Sequence, residues 1–317
     1  MPEILVVGSV AYDSVKTPSG TAEGILGGSA TYFAVAASFF TRVSLVACVG
    51  HDFKQEDLLF LESRGIDLAG LEHRSGETFR WSGQYGRDMN TAQTLETHLN
   101  VFADFRPTIP EPYRQHDFIF LGNIDPKLQR SVLTQVNRPR LVACDTMNFW
   151  IDGSFESLLE TLKSVDVLII NDAEARQLSA EGSLPAAARK ILGWGPHTLV
   201  VKLGEYGAAL YHRDPEGLAV FGIPAYPLEE VHDPTGAGDS FAGGFMGYLA
   251  GTGRSDREAM RQAVVFGAVM ASFNVEMFSL GRLRTLTFAE VVLRYREFEQ
   301  LTRFEGFSPE SLTLHPA

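Results

Sequence analysis

Residues 233–244, DPTGAGDSFAGG, combine a glycine turn, an acidic residue and the start of a helix in one short stretch. Gly236, Ala237 and Gly238 carry almost no side chain, so their backbone N–H groups can converge on one point ahead of the helix. Asp239 then lies in the first helical turn, where the helix dipole favours an ionised carboxylate that can accept a proton. The stretch therefore predicts an anion-binding turn beside a general base. The alternative is a glycine-rich loop before a helix that needs small residues for close packing.

The composition is typical of an α/β enzyme with a sizeable core. The chain has 317 residues, of which 45% are hydrophobic and 21% charged, and we expect one domain over residues 1–317. The net charge of −12 argues against nucleic acid or an anionic membrane surface as a partner, because both require clustered Lys and Arg. Cys48 and Cys144 lie in apolar runs, which argues against a disulfide framework. We expect a cytoplasmic protein without a signal peptide or membrane anchor.

Short apolar runs alternate with helical patterns along the chain. The runs are apolar throughout, which indicates strands that are covered on both faces. Predicted strands occupy residues 4–10, 43–49, 118–121, 141–144, 167–170 and 199–203, and predicted helices occupy residues 52–64, 127–136 and 186–192. The pattern predicts a mostly parallel sheet with helices on both sides, in which ligands bind beyond the carboxyl ends of the strands.

Residues 78–85 and 92–102 depart from this pattern. Their side chains alternate between apolar and polar, as in half-exposed antiparallel strands. In the first segment, Phe79, Trp81 and Tyr85 fall on one face. We interpret the two segments as a small lid. The alternative is an extension at the edge of the main sheet, packed by the aromatic side chains.

Residues 233–244 resemble the motif of the ribokinase-like, or PfkB-type, family of carbohydrate and nucleoside kinases. The resemblance implies a three-layer α/β sandwich with a mostly parallel central sheet and a small β lid, formed here by residues 12–26 and 76–103. It also implies ATP and Mg²⁺ as cofactors and a homodimer contact through the lid. In the family, the aspartate after the glycine turn is the general base and the preceding amides stabilise the transferred phosphoryl group. Asp239 and the amides of residues 236–238 match those positions.

The N-terminal region resembles the family's acceptor-binding element, in which an aspartate accepts hydrogen bonds from sugar hydroxyls and a glycine pair admits the substrate. Asp13, Gly27 and Gly28 match these positions. Ribokinases proper carry asparagines where this chain has Ala11 and Tyr32, which argues against free ribose as the acceptor. Without the resemblance, Asp13 would be a turn residue and Gly28 the start of a closely packed helix.

Two further segments resemble the nucleotide side of the family's site. Asn171 and Glu174 match an Asn-x-x-Glu element that holds Mg²⁺ through water, although the same spacing also fits a helix cap with its capping-box partner. Lys202, Gly204 and Gly207 match a hairpin that approaches the triphosphate, where a cation offsets charge. The alternative for the second segment is a plain hairpin with a solvated lysine.

The resemblance points to further contacts with ligands. Asp233 and Thr235 correspond to positions that hold a monovalent cation, such as K⁺, in some relatives. Arg80, Asn123 and Asn148 are candidates to contact the acceptor, and each could instead be a surface or capping residue. Relatives with an Asp-x-Asn segment usually have an arginine two places after the asparagine, and its absence here argues against an acidic sugar.

The motifs follow family order over residues 8–271, and they predict a kinase that transfers the γ-phosphoryl group of ATP to a hydroxyl of a sugar or sugar-like alcohol. One alternative is a nucleoside or vitamin kinase of the same fold, since Tyr32 and Trp81 could form a more aromatic acceptor pocket. Another is a non-catalytic sensor of sugar or nucleotide. A dinucleotide-dependent oxidoreductase is disfavoured, because the turn after the first strand lacks the G-x-G-x-x-G spacing.

Overall fold

Two β-sheets and eleven α-helices make up the computed structural model, which describes residues 3–215 and 217–306. The strands are β1 (Glu3–Val7), β2 (Ala11–Thr17), β3 (Gly20–Gly27), β4 (Arg42–Val49), β5 (Ile66–His73), β6 (Phe79–Tyr85), β7 (Ala92–His98), β8 (Phe118–Leu121), β9 (Leu141–Cys144), β10 (Val167–Asn171), β11 (Thr198–Lys202), β12 (Ala208–Asp214) and β13 (Gly217–Ile223). The helices are α1 (Ser29–Ala37), α2 (Gln55–Ser63), α3 (Pro126–Leu133), α4 (Asn148–Gly153), α5 (Phe155–Leu162), α6 (Asp172–Ser179), α7 (Leu184–Leu192), α8 (Ala237–Thr252), α9 (Arg257–Asn274), α10 (Gly281–Thr285) and α11 (Phe288–Thr302). The predicted domain of residues 1–317 also includes residues 1–2, 216 and 307–317, which lie outside this described part.

The larger sheet has nine strands in the order β13-β12-β11-β10-β9-β8-β1-β4-β5. From β11 to β5 all neighbours pair in parallel, and only β12 runs antiparallel to its two neighbours. The carboxyl ends of seven strands therefore meet at one edge of the sheet. Polar side chains that follow these strands are brought together there, as the sequence predicts.

The six predicted core strands are all present, with small differences at their ends. β1 ends at Val7 rather than at residue 10. The chain leaves the sheet there because the Ser9 hydroxyl accepts a hydrogen bond from the Ser29 backbone N–H (3.1 Å), which fixes the turn against the start of α1. β5 and β13 are strands that the sequence analysis did not predict.

Two hydrophobic cores cover the two faces of the large sheet. In β1, Ile4 and Val6 face one core while Leu5 and Val7 face the other, and all four side chains are fully buried. This explains why the strand sequences are apolar throughout rather than alternating. The first core includes α1, α8 and α9, and the second includes α3, α5, α6 and α7. No helix among the described residues combines the length and apolar character needed to cross a bilayer.

The lid is a separate four-stranded sheet in the order β3-β2-β6-β7. β2 and β3 form one hairpin, β6 and β7 form another, and the two hairpins join through the parallel pair β2 and β6. The lid prediction is therefore confirmed, and the alternative of an edge extension of the main sheet is wrong. Asp13 of β2 pairs directly with Trp81 of β6, so these two side chains lie on the same face of the lid.

Small residues allow α8 to pack closely on its neighbours. A β-carbon at Gly243 would overlap the backbone oxygen of Phe33 in α1, and one at Gly247 would lie 2.8 Å from the α-carbon of Ala37. The close packing proposed as the alternative for this glycine-rich stretch is therefore real. It concerns the body of α8, whereas the glycines of the preceding turn have different neighbours.

Candidate active site

The turn before α8 has the backbone geometry that an anion-binding site requires. Gly236 caps the helix with φ of 74°, a left-handed conformation, and a β-carbon there would overlap the ring of Tyr32. Within the described residues, the backbone N–H groups of Gly236, Gly238 and Asp239 have no hydrogen-bond acceptor. Ala237 differs from its predicted place in the anion hole, because its N–H donates to the Pro234 carbonyl (3.1 Å) and closes the turn. The free amides are thus those of residues 236, 238 and 239.

Lys202 lies directly beside this turn. A β-carbon at Gly238 would lie 2.8 Å from the Lys202 Nζ atom, so only glycine admits the ammonium so close to the helix start. Burial disfavours the charged form of Lys202, but the carboxylates of Asp145, Glu174 and Asp239 outweigh this effect and raise its pKa. Lys202 therefore lies partly buried among these carboxyl groups, and it is not a solvated lysine on a plain hairpin.

Asp239 keeps a partly exposed side chain in the first turn of α8. Burial raises its pKa well above the usual range, and the nearby Asp145 carboxylate raises it further while Lys202 lowers it. A carboxylate with a raised pKa is a stronger base toward an alcohol than an exposed aspartate. The turn, the ammonium and the carboxylate are thus adjacent, as residues 233–244 predict.

Asp145 is a member of this cluster that the sequence analysis did not select. It follows β9 directly and is buried, its Oδ1 atom accepts a hydrogen bond from the Thr146 N–H (2.7 Å), and burial raises its pKa. Its position after a fully apolar strand was the available signal, because parallel strands place such residues at the ligand-binding edge.

Asn171 and Glu174 form the capping box of α6. The Asn171 Oδ1 atom accepts a bond from the Glu174 N–H (2.8 Å), and the Glu174 Oε2 atom accepts one from the Asn171 N–H (2.8 Å). Burial, followed by the charge of Asp145, raises the pKa of Glu174 to about 7. The capping box that the spacing also allows is therefore present. In addition, Glu174 interacts electrostatically with Asp145 and Lys202.

The lid carries Asp13, whose charge raises the pKa of Asp239. Asp13 is 4% exposed, and a β-carbon at Gly27 would overlap its carboxylate. Gly28 has φ of 93°, and a β-carbon there would lie 2.6 Å from the Ser9 carbonyl oxygen, so this position requires glycine on two grounds. Burial raises the pKa of Asp13 to about 7, the Gly28 amide lowers it, and the nearby Asp233 carboxylate raises it.

Asp233 and Thr235, the predicted cation ligands, shape the turn. Asp233 is fully buried and accepts bonds from the backbone N–H groups of Thr235 (2.9 Å) and Ser279 (3.0 Å). The Thr235 hydroxyl donates to the Tyr85 hydroxyl of the lid (3.3 Å). At the tip of the lid, the Asn90 side chain donates to Glu205 (3.3 Å), next to Gly204. The lid thus touches both the turn before α8 and the hairpin after β11.

The predicted acceptor contacts Arg80, Asn123 and Asn148 do not join the cluster. Arg80 pairs with Tyr12 across the lid, on the face opposite Asp13, and its guanidinium donates to Asp52 (2.5 Å). Period-two alternation puts neighbouring residues of a strand on opposite faces, which explains why Arg80 and Trp81 point apart.

Each of the two asparagines uses its side chain in hydrogen bonds to neighbouring loop or helix residues. The Asn123 amide donates to the Met147 sulfur (2.9 Å) and accepts from the Trp150 indole (2.9 Å). Asn148 is exposed and its Oδ1 atom accepts a bond from the next backbone N–H (2.9 Å). Gly207 permits a turn with φ of 107° between β11 and β12. These three residues shape the loops in which they lie.

The raised pKa of Asp13 predicts a stability that falls as pH increases. In an unfolded chain an aspartate titrates near pH 4, and in the folded protein Asp13 titrates at about 7. Between these values the folded state binds more protons, so its free energy of unfolding decreases by at most about 4 kcal/mol from this group. Urea unfolding at about pH 5 and about pH 8 measures the difference. Asp13→Asn should flatten this slope, and an unaltered slope in the variant would contradict the assignment.

Comparison with known proteins gives a consistent result. The family model for pfkB family carbohydrate kinases matches residues 1–277. A cytidine kinase from Thermococcus kodakarensis is 30% identical over 257 residues, which cover 79% of this chain and 90% of that protein. A nucleoside kinase from Methanocaldococcus jannaschii is 25% identical over 83% of this chain and 82% of that protein. A crystal structure of the nucleoside kinase from Methanocaldococcus jannaschii, 23% identical, covers 94% of this chain and 99% of its own with a TM-score of 0.74.

Proposed function

The chain belongs to the pfkB family of carbohydrate kinases, whose members are ATP-dependent phosphotransferases, and from this we propose that it phosphorylates a hydroxyl group of a nucleoside. The observation that carries the proposal is the adjacency of Asp239, Lys202 and the free amides of the turn before α8. The sequence alone favours a sugar-like alcohol as the acceptor, with a nucleoside as the alternative. The names of the relatives favour the nucleoside.

The proposed reaction uses these groups for proton transfer and charge stabilisation. The acceptor hydroxyl gives its proton to a carboxylate oxygen of Asp239, and its oxygen forms a bond to the γ-phosphorus. The bond from that phosphorus to the bridging oxygen breaks, and ADP leaves with the electron pair. The free amides of Gly236 and Gly238, together with Lys202, stabilise the negative charge on the transferred group.

The charge balance of the site suits a divalent cation. The carboxyl groups of Asp145, Glu174 and Asp239 share one ammonium, that of Lys202, and the Asp145 charge raises the pKa of both Glu174 and Asp239, a repulsion that a divalent cation would relieve. Among residues 3–215 and 217–306, no three acidic, histidine or cysteine side chains lie close enough together to ligate a metal directly. This fits Mg²⁺, which keeps water ligands and binds phosphate oxygens, with Glu174 holding it through water. When bound, Mg²⁺ would neutralise charge on the phosphates.

Two smaller proposals concern a second cation and a partner. Asp233 and Thr235 would support a K⁺ ion beside the turn, where the buried Asp233 carboxylate supplies the negative charge. The lid would form the contact of a homodimer, since β7 is an edge strand whose side chains are almost all exposed. Activity with and without K⁺, and the mass of the protein in solution, test these proposals separately.

An ATP-consumption screen tests the acceptor class. We expect cytidine and other nucleosides to give the highest kcat/KM, with free ribose, fructose and inositol at least about tenfold lower, because they lack a base to bind. A preference for a base-free sugar would overturn the nucleoside proposal while leaving the kinase assignment intact. Binding of ATP without turnover of any alcohol would instead support a non-catalytic sensor.

A further inference from the structure

One face of β6 presents a flat aromatic surface beside the proposed acceptor aspartate. Trp81 pairs with Asp13 in the register of β2 and β6, so the two side chains stand next to each other on one face of the lid. Tyr85 lies on the same face of β6, and its hydroxyl accepts a bond from Thr235 in the turn before α8 (3.3 Å). Adjacent strands lie about 5 Å apart, which is close to the distance from a ribose ring to the base attached to it. A nucleoside whose sugar bonds to Asp13 therefore reaches Trp81 with its base.

Gly83 holds the Trp81 indole flat against the strand. A β-carbon at Gly83 would overlap the Cη2 and Cζ2 atoms of the indole, so any other residue there would lift the ring from the strand. The indole N–H donates to the Thr94 hydroxyl of β7 (3.2 Å), which fixes the ring within its plane. The indole is thus fixed by a glycine beneath it and a hydrogen bond at its edge.

The outer face of this indole is available to a ligand. Trp81 is half-buried, and among the residues the structure describes no aromatic ring or guanidinium stacks on it. By contrast, Phe79 on the same strand stacks on Phe102 with ring centroids 5.4 Å apart. A preorganised aromatic face with one side open is suited to a planar, π-rich group, and a base-free sugar has none.

We propose that Trp81, supported by Gly83, is the stacking surface for the base of the acceptor and thereby selects nucleosides over free sugars. This inference rests on the proposed nucleoside kinase function and names the residue that determines its specificity. Stacking acts on the bound substrate and on the transition state alike, so its loss raises KM and leaves kcat nearly unchanged.

The test compares Trp81→Leu and Trp81→Phe with the wild-type protein, using cytidine and D-ribose as acceptors. We expect Trp81→Leu to raise the KM for cytidine about tenfold to a hundredfold, with kcat within about threefold. Trp81→Phe should keep the KM within about threefold, because a smaller ring still stacks. The KM for D-ribose, where turnover is measurable, should not change. An equal KM for cytidine in Trp81→Leu and wild type would overturn the inference.

Gly83→Ala provides a second variant that retains the indole. We expect it to raise the KM for cytidine by displacing the ring, and to have little further effect in a Trp81→Leu background. Equal effects of Gly83→Ala in both backgrounds would contradict the inference, because they would show that Gly83 does not act through Trp81. Thermal unfolding of each variant distinguishes a local effect from loss of the fold.

Fluorescence gives a readout that does not depend on turnover. The chain has three tryptophans, and we expect cytidine to quench the emission of the wild type and of Trp194→Phe, but not that of Trp81→Phe. Trp194 packs against Phe155 away from the site, which makes it a matched control. If the wild type phosphorylates only base-free sugars, the proposed function and this inference both fail. If it phosphorylates nucleosides but Trp81→Leu is unaffected, only the inference fails.

Discussion

Asp239→Asn should lower kcat by about a hundredfold or more while the protein stays folded and binds ATP. Asparagine has the size of aspartate but cannot take the proton from the acceptor hydroxyl. The same change should raise the melting temperature, because burial and the Asp145 carboxylate disfavour a charge at this position. The expected result is therefore a loss of activity together with a gain in stability, which is typical of functional residues that strain a fold.

Steady-state kinetics and thermal unfolding of the same preparation check both parts. Glu258→Gln is the matched control, since Glu258 is an exposed acidic residue in the first turn of α9. Its replacement should leave kcat unchanged and should not stabilise the protein. Full turnover by Asp239→Asn would remove the base from the proposed mechanism.

Gly236→Ala should reduce kcat/KM by about a hundredfold, because a displacement of about 1 Å in the turn misplaces its amides relative to the phosphoryl group. Two costs combine at this position. Alanine disfavours φ of 74° by about 1–2 kcal/mol, and its β-carbon would overlap the ring of Tyr32. The variant should therefore also unfold at a lower temperature than the wild type.

Gly65→Ala is a control that has the unfavourable backbone conformation without the steric overlap. Gly65 has φ of 71°, and a β-carbon there would meet nothing within 4 Å. Gly65→Ala should thus lose only about 1–2 kcal/mol of stability and keep its activity. Equal behaviour of the two variants would show that the contact with Tyr32 has no consequence. In addition, Tyr32→Ala should destabilise the Gly236→Ala variant less than it destabilises the wild type, since in the variant it also removes the overlapping ring.

The fold was predictable from the sequence where neither face of a strand is exposed to water. The six continuous apolar runs are the parallel strands in the centre of the sheet, and both cores bury them. β5 and β13 are the two edge strands, and each mixes exposed and buried side chains, so neither has the continuous apolar pattern. Edge position thus explains both omissions.

The candidate site was predictable where it is local in sequence. Asp239 and its glycine turn lie in one stretch, and their geometry follows from helix capping and the glycine backbone. The place of Asp145 beside these residues depends on the order of the strands in the sheet, which the sequence alone does not reveal. The face of the lid that Arg80 occupies was not predictable for a different reason, because only the register with β2 shows it. Ala237 could not be separated from its glycine neighbours, since its bond to Pro234 is a detail of the turn.

The lid joins a hairpin from residues 11–27 to another from residues 79–98. During synthesis, a nascent chain that ends before residue 79 can form the β2–β3 hairpin that carries Asp13, but it lacks β6, the second strand that pairs with β2. Pairings between distant segments form late, because the intervening chain must first be ordered. We therefore expect the β2–β6 pair to acquire protection from hydrogen exchange later during refolding than the two hairpins that it joins, because the strands of each hairpin are close in sequence.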